Sequence, residues 1–295
     1  MTPITEVEGR RLSLSNLDKV LYSASGFTKG EMLHYYASTA EALLPHLRNR
    51  PLSFLRFPDG PDGQRFFAKN VPPGTPDWVH TADVPRSDGD TRQIVVNDLA
   101  SLMWAGNLVT EFHTPQWQED APAMADRLVL DLDPGEPATI VECCRAGLWL
   151  RERLRADGLH AYAKTSGSKG LHLLCALEPT PSEDVTAYAK KLAQEAEAEL
   201  PDLVVHRMTR SLRPGKVFVD FSQNAAAKTT ATPYTLRARQ EPTVSTPVTW
   251  DEVEACDDPA QLVFLAADIA ARLQRHGDLL DPLTDPGRGR PLPHS

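Results

Sequence analysis

The hydrophobic pattern is sharpest at residues 127–135, RLVLDLDPG, where Leu128, Leu130 and Leu132 alternate with Val129, Asp131 and Asp133. A strand repeats every two residues, so Asp131 and Asp133 fall on one face. Pro134 and Gly135 stop the run, because proline cannot donate to a ladder and glycine permits a sharp turn. Apolar runs predict further strands at 52–57, 93–96, 160–165, 171–177 and 216–222, and an extended segment at 111–117. Helical spacing starts at Thr28. Thr28 and Glu31 form an S/T-x-x-E capping box, and Met32, Leu33, Tyr36, Ala40, Leu43 and Leu44 recur behind it. Helices are predicted at 98–108, 138–157 and 182–200. Thr249 with Glu252 makes a second capping box, and Asp258-Pro259 opens a last helix to about Arg275.

Between these elements, 83–92 is polar and expected as a mobile surface loop between strands, 229–234 as irregular and 242–247 as a loop. No internal repeat or long linker divides the chain. The expectation is an α+β fold in one domain over residues 1–280, followed by a flexible tail, 281–295, rich in proline and glycine.

Composition changes this picture little. No run of 18 apolar residues exists and the N-terminus lacks a basic stretch followed by an apolar core, so neither a membrane span nor a secretory signal is expected. Cys143, Cys144, Cys175 and Cys256 lack paired zinc-finger spacing and read as reduced thiols of a cytoplasmic protein. Charge matters more. The net charge of -9 argues against a protein that coats nucleic acid non-specifically. It is uneven, however: Arg207, Arg210, Arg213, Lys216, Lys228, Arg237 and Arg239 share their stretch with a single acid, Asp220. A polyanion meets that local field rather than the global balance.

Three clusters could do chemistry. Asp131 and Asp133 are like charges at the end of an apolar strand, costly unless a cation sits between them; carboxylate oxygens suit magnesium or manganese. Solvated acids at a strand end would read the same way. KTSGSKGLH, Lys164 to His172, is a glycine turn between strands whose N–H groups, with Ser166, Ser168 and Lys169, could hold a phosphate. It lacks the Walker A spacing and the following helix. KVFVDFSQ, Lys216 to Gln223, places Phe218, Asp220 and Ser222 on one strand face. Asp220 alone could equally be a salt-bridge partner. Together, three carboxylates, a phosphate-type turn and clustered arginines suit metal-assisted phosphoryl or nucleotidyl transfer.

The chain resembles the polymerase domain of bacterial ligase D, in the archaeo-eukaryotic primase superfamily. LSNLDKVLY with GFTKGE, FFAKN with GTPDW, LVLDLDPGE, KTSGSKGLH, GKVFVDFSQN with KTTATPYTLRAR, and VSTP carry the resemblance. It implies a primase-polymerase fold with mixed or antiparallel central sheets flanked by helices. Asp131, Asp133 and Asp220 would hold two divalent cations, Mn2+ or Mg2+. Ser166, Ser168, Lys169, His172, Gln223 and Arg237 would serve the incoming nucleotide. Lys19 and Lys29 match a pocket for a DNA 5′-phosphate. Phe66, Phe67, Arg56 and Arg213 match template or primer contacts. The implied activity is template-dependent synthesis at gapped or broken DNA ends in non-homologous end joining, with a preference for ribonucleotides. Ku and a DNA ligase are the implied partners.

The residues leave rivals open. Lys19 and Lys29 could be solvated lysines, although a cation in a helix's first turn opposes the dipole and an anion would explain it better. Phe66 and Phe67 are neighbours in a strand and face opposite ways, so at least one is expected outside the core. Arg237 and Arg239 could pair with local acids, and His172 could be a core histidine. A primase that starts chains de novo and a non-catalytic DNA-end bridging module are the alternative functions; the carboxylate trio speaks against the second.

Overall fold

A computed structural model of the chain describes residues 4–85 and 89–293. The fold is mixed α and β, as the pattern of elements predicts, and its sheets are largely antiparallel, as the family resemblance implies. Its contacts divide into two compact units that the chain enters more than once. One comprises Met1–Thr114, Ala231–Ser245 and Phe264–Gly277. The other comprises Pro115–Thr230, Thr246–Val263 and Asp278–Ser295.

The second unit is built on a six-stranded sheet. Its strands run in the order Val204–Val205, Val217–Asp220, Met124–Pro134, Leu171–Pro181, Ala161–Thr165 and Pro247–Val248. Every neighbouring pair is antiparallel except the first. The Met124–Pro134 strand is the predicted organising strand, and it is central because it is apolar on both faces. On one face Leu132, Leu171 and Leu173 meet the Ile140–Ala156 helix at Gly147, where a Cβ would stand 3.2 Å from Leu171. On the other face Val129 and Leu174 pack with Tyr162, Leu280 and Leu283. A capping box starts the Ile140–Ala156 helix: Thr139 accepts from Val141 and Glu142 reaches back to the Thr139 N–H at 2.7 Å.

In the first unit the Ser53–Arg56 strand lies between Phe66–Ala68 and Thr110–Thr114. The helices Lys29–Ser38, Ala40–Leu47, Leu99–Asn107 and Ala266–His276 belong to this unit, and the buried residues of all four share one apolar core. Tyr36 and Phe112 stack with ring centroids 5.0 Å apart at its centre.

Several boundaries differ from expectation. The helix predicted from Thr28 is two helices, because Thr39 leaves helical geometry and ends one while preceding the next. The strand expected at 216–222 stops at Asp220, which caps a 3-10 turn, Phe221–Asn224; Ser222 therefore leaves the sheet face. The last helix also splits, into a 3-10 turn at Pro259–Leu262 and the helix Ala266–His276. Phe264 and Leu265 instead pair in extended form with Val244 and Thr243. Residues 81–84 and 91–94 form a hairpin, so strands cover both ends of the loop expected at 83–92. Residues 86–88 of that loop lie outside the described residues. The stretch expected to be a loose tail docks instead. Leu283 is buried, the Glu178 N–H donates to the Arg290 carbonyl at 2.9 Å, and the Arg290 N–H donates to Ala176 at 3.2 Å.

Candidate active site

Strand register assembles the acids. Asp131 lies directly opposite Asp220 on one side and opposite His172 on the other, and His172 lies opposite Lys164. Residues facing each other in an antiparallel pair share a face with Cβ atoms about 5 Å apart. Asp220, Asp131, His172 and Lys164 therefore form one row across four strands. Asp133 stands two residues along on the same face, opposite Phe218. His172 Nε2 is 3.2 Å from Asp131 Oδ1.

The sequence fixes this geometry locally. Asp220 receives the Ser222 N–H at 2.9 Å and the Ser222 hydroxyl at 2.6 Å on Oδ1, and the Gln223 amide at 3.0 Å on Oδ2. Gln223, expected at the nucleotide, thus holds an acid in this structure. The same turn is anchored by buried Asn224. Its side chain accepts from the Val129 N–H and donates to the Val129 carbonyl, both at 2.8 Å, and also donates to Phe221 at 2.9 Å. It thereby locks the Asp220 turn to the strand that carries Asp131.

Residues 166–170 form the predicted turn. Ser166 is buried, and its hydroxyl accepts from the N–H groups of Ser168 at 3.2 Å and Gly170 at 3.0 Å. Gly167 takes φ +68°, which glycine adopts freely. At Gly170 a Cβ would stand 2.2 Å from the Leu132 carbonyl, so only glycine lets the turn lie against the acidic strand. Asp133 Oδ1 is 3.5 Å from that same point, which brings the turn and the carboxylate together. Lys169 is exposed at the rim and pairs with Glu136 at 2.6 Å, holding the Glu136 carboxyl below its ordinary range. Arg213 lies over the Phe218 ring at 3.7 Å and donates to Met208 at 2.9 Å.

Three carboxylates on one face form a hard oxygen donor set suited to a divalent cation. As placed, however, Asp220 accepts from Ser222 and Gln223, and Asp131 faces His172. Among the described residues no three His, Cys, Asp or Glu side chains gather closely enough to hold an ion.

The remaining predicted residues belong to the first unit. Lys19 and Lys29 are joined by backbone, with the Lys29 N–H donating to the Lys19 carbonyl at 2.8 Å. Lys19 is exposed and bonds Asp59 at 2.7 Å. Lys29 is buried, and its Nζ stands 3.4 Å from the Ser15 hydroxyl. Burial, then the Lys19 charge, pushes the Lys29 ammonium below its ordinary value. Phe66 and Phe67 are both exposed, at 44% and 56%, although they alternate faces. Their strand lies at the sheet edge beside Arg56, which pairs in register with Phe66. Arg237 binds buried Glu111 at 2.8 Å.

Sequence reasoning left three groups unassigned: Lys164, Asn224 and the Glu111–His113 pair, whose side chains meet at 2.7 Å. Lys164 opens the quoted KTSGSKGLH motif. Its alternation with His172 was available as a signal only once the hairpin register was known.

Residues 28–280 match the family model described as LigD, primase-polymerase domain. The chain is 42% identical over 284 residues to the multifunctional non-homologous end joining DNA repair protein LigD of Mycobacterium tuberculosis, covering 93% of this chain and 37% of that protein. It is 30% identical to the bifunctional non-homologous end joining protein LigD of Bacillus subtilis, covering 90% of this chain and 43% of that protein. The chain thus spans about two-fifths of the length of these relatives. The polymerase domain of M. tuberculosis ligase D, solved in complex with DNA, superposes with a TM-score of 0.88 at 42% identity, over 93% of this chain and 98% of that one. Alike in sequence over nearly all its length and alike in fold, this chain belongs to the LigD primase-polymerase domain family.

Proposed function

We propose that the chain is a template-dependent nucleotidyltransferase that fills gaps and extends broken DNA ends during non-homologous end joining, in the cytoplasm, alongside Ku and a DNA ligase. The observation that carries this reading is the register that sets Asp131 opposite Asp220, with Asp133 on the same face. Asp131, Asp133 and Asp220 would hold two divalent cations, magnesium or manganese. When bound, these ions would activate a primer 3′-hydroxyl and offset charge on the leaving pyrophosphate. For Asp220, holding an ion means exchanging the Ser222 and Gln223 donors it now accepts from.

The chain's own residues do the rest. Ser166 braces the glycine turn by accepting from the Ser168 and Gly170 N–H groups, so that the turn would present the Ser168 hydroxyl and Lys169 to a triphosphate. His172 orients Asp131 and offers a donor to the nucleotide. Lys19 and Lys29 take the 5′-phosphate downstream of a gap, and exposed Phe66 and Phe67 offer stacking surfaces to bases. Arg237 has a resident partner, Glu111, and its role at a triphosphate rests on the family resemblance alone.

The test is single-nucleotide extension on a gapped duplex, with and without a downstream 5′-phosphate, using ribo- and deoxynucleotides under Mg2+ and Mn2+. Templated addition favoured by the phosphate and by ribonucleotides supports the reading. Synthesis on a bare single strand without a primer would favour a primase instead.

A further inference from the structure

Lys164 is buried to 0% exposure in the strand next to the edge of the six-stranded sheet, opposite His172 on one side and Pro247 on the other, and the strand register places it on the carboxylate face. Along its own strand the previous residue on that face is Tyr162, which lies opposite Leu174 and packs in an apolar cluster. Lys164 is where this face turns from apolar to charged. The row then reads Lys164, His172, Asp131, Asp220, with the cation at one end and two acids at the other. A buried ammonium is costly without anions near it. The acids that the register brings nearest on this face are Asp131 and, beyond it, Asp220. Lys164 is too deeply covered to touch a substrate, so any effect it has passes through His172 and the field it sets on the face.

We propose that Lys164 is a positioning residue, the resident countercharge of the acidic face. It balances the carboxylates before metal arrives, fixes His172 between cation and acid, and adds positive potential where a triphosphate binds. The inference rests on the two-cation reading above. It makes a prediction with opposite signs for two ligands. A fixed cation near the site repels a divalent ion and attracts a polyphosphate. Removing it therefore tightens metal binding and weakens nucleotide binding, whereas a structural lesion weakens both.

The test compares wild type, Lys164→Met, Lys164→Gln and Lys164→Arg in the full chain. Mn2+ binding is measured without DNA or nucleotide, by the loss of the free-ion electron paramagnetic resonance signal. Nucleotide KM is measured at saturating Mn2+ on a gapped duplex. Lys164→Met should bind Mn2+ at least about tenfold more tightly, a unit charge roughly 10 Å from a divalent ion at an effective dielectric of about 20 corresponding to roughly a hundredfold before salt screening. Its nucleotide KM should rise by a similar factor, and Lys164→Arg should restore both values. If the methionine variant fails to fold, the glutamine variant carries the same prediction. Unchanged or weaker Mn2+ binding in a folded neutral variant overturns the proposal while leaving the polymerase reading intact. Failure of wild type to bind Mn2+ and extend a primer overturns both.

Discussion

At the residue scale, buried ionic partners set measurable properties. Burial alone would raise the Glu111 carboxyl, but Arg237, His113 and the Ala238 N–H outweigh it and hold it lowered to about 2. The folded value lies below the unfolded one. The stabilisation is therefore full above the ordinary carboxylate range and is lost as pH falls from there through about 2. Its size is roughly 3 kcal/mol. Glu111→Gln should cost about 3–5 kcal/mol at neutral pH, because it leaves Arg237 without its carboxylate. It should also flatten the acid limb of stability. Thermal melts of wild type and variant from pH 7 to pH 3 check this, and parallel melting curves would contradict it. Asp131 and Asp133 were legible as a pair on one strand face, but DxD alone suits solvated acids as well, and it was the family motifs that singled them out. Their neighbours were not: the role of Gln223 depends on the 3-10 turn that ends the strand at Asp220, and that of Lys164 on which strand lies beside which, which is non-local.

At the scale of elements, the Phe221–Asn224 turn decides where the third acid points. Asn224 satisfies both backbone groups of Val129, so it links two segments 95 residues apart. Asn224→Ala would strand these buried groups at about 1–3 kcal/mol each. The prediction is a loss of roughly 2–4 kcal/mol in chemical denaturation. At a temperature where the variant is still folded, gap extension should fall by more than tenfold. Full activity in the folded variant would show that the turn does not position Asp220. Capping boxes at Thr28, Thr139 and Thr249 are present in the structure, and all three stand in the sequence as S/T-x-x-E patterns, the second missed in predicting the helix from residue 138. Local hydrogen bonds follow local sequence. The split at residues 263–265 was not visible, because distant backbone pairing of Val244 with Phe264 overrides a continuous apolar period, and the one at Thr39 leaves that period unbroken.

At the scale of the molecule, a net charge of -9 must coexist with the DNA substrate proposed above. Long duplex should bind weakly and with strong salt dependence, and a terminal phosphate should supply the discrimination. Fluorescence anisotropy with gapped duplexes should show tighter binding when the downstream 5′-phosphate is present. Lys19→Ala with Lys29→Ala should remove that preference and make the salt slope shallower by about one. Equal binding with and without the phosphate would count against the paired-lysine pocket. No described helix is long and apolar enough to cross a membrane. The mixed fold with antiparallel sheets was legible from the element pattern and the family motifs. The division into two units was not, because each unit is assembled from segments far apart in the chain.

The most direct test of the acidic face is templated addition of one ribonucleotide to a gapped, 5′-phosphorylated duplex under Mn2+, by wild type and by Asp220→Asn. The account predicts efficient addition by wild type and a drop of at least about a hundredfold in the variant, with its melting temperature preserved. Retention of addition within a few fold by a folded Asp220→Asn protein would contradict it.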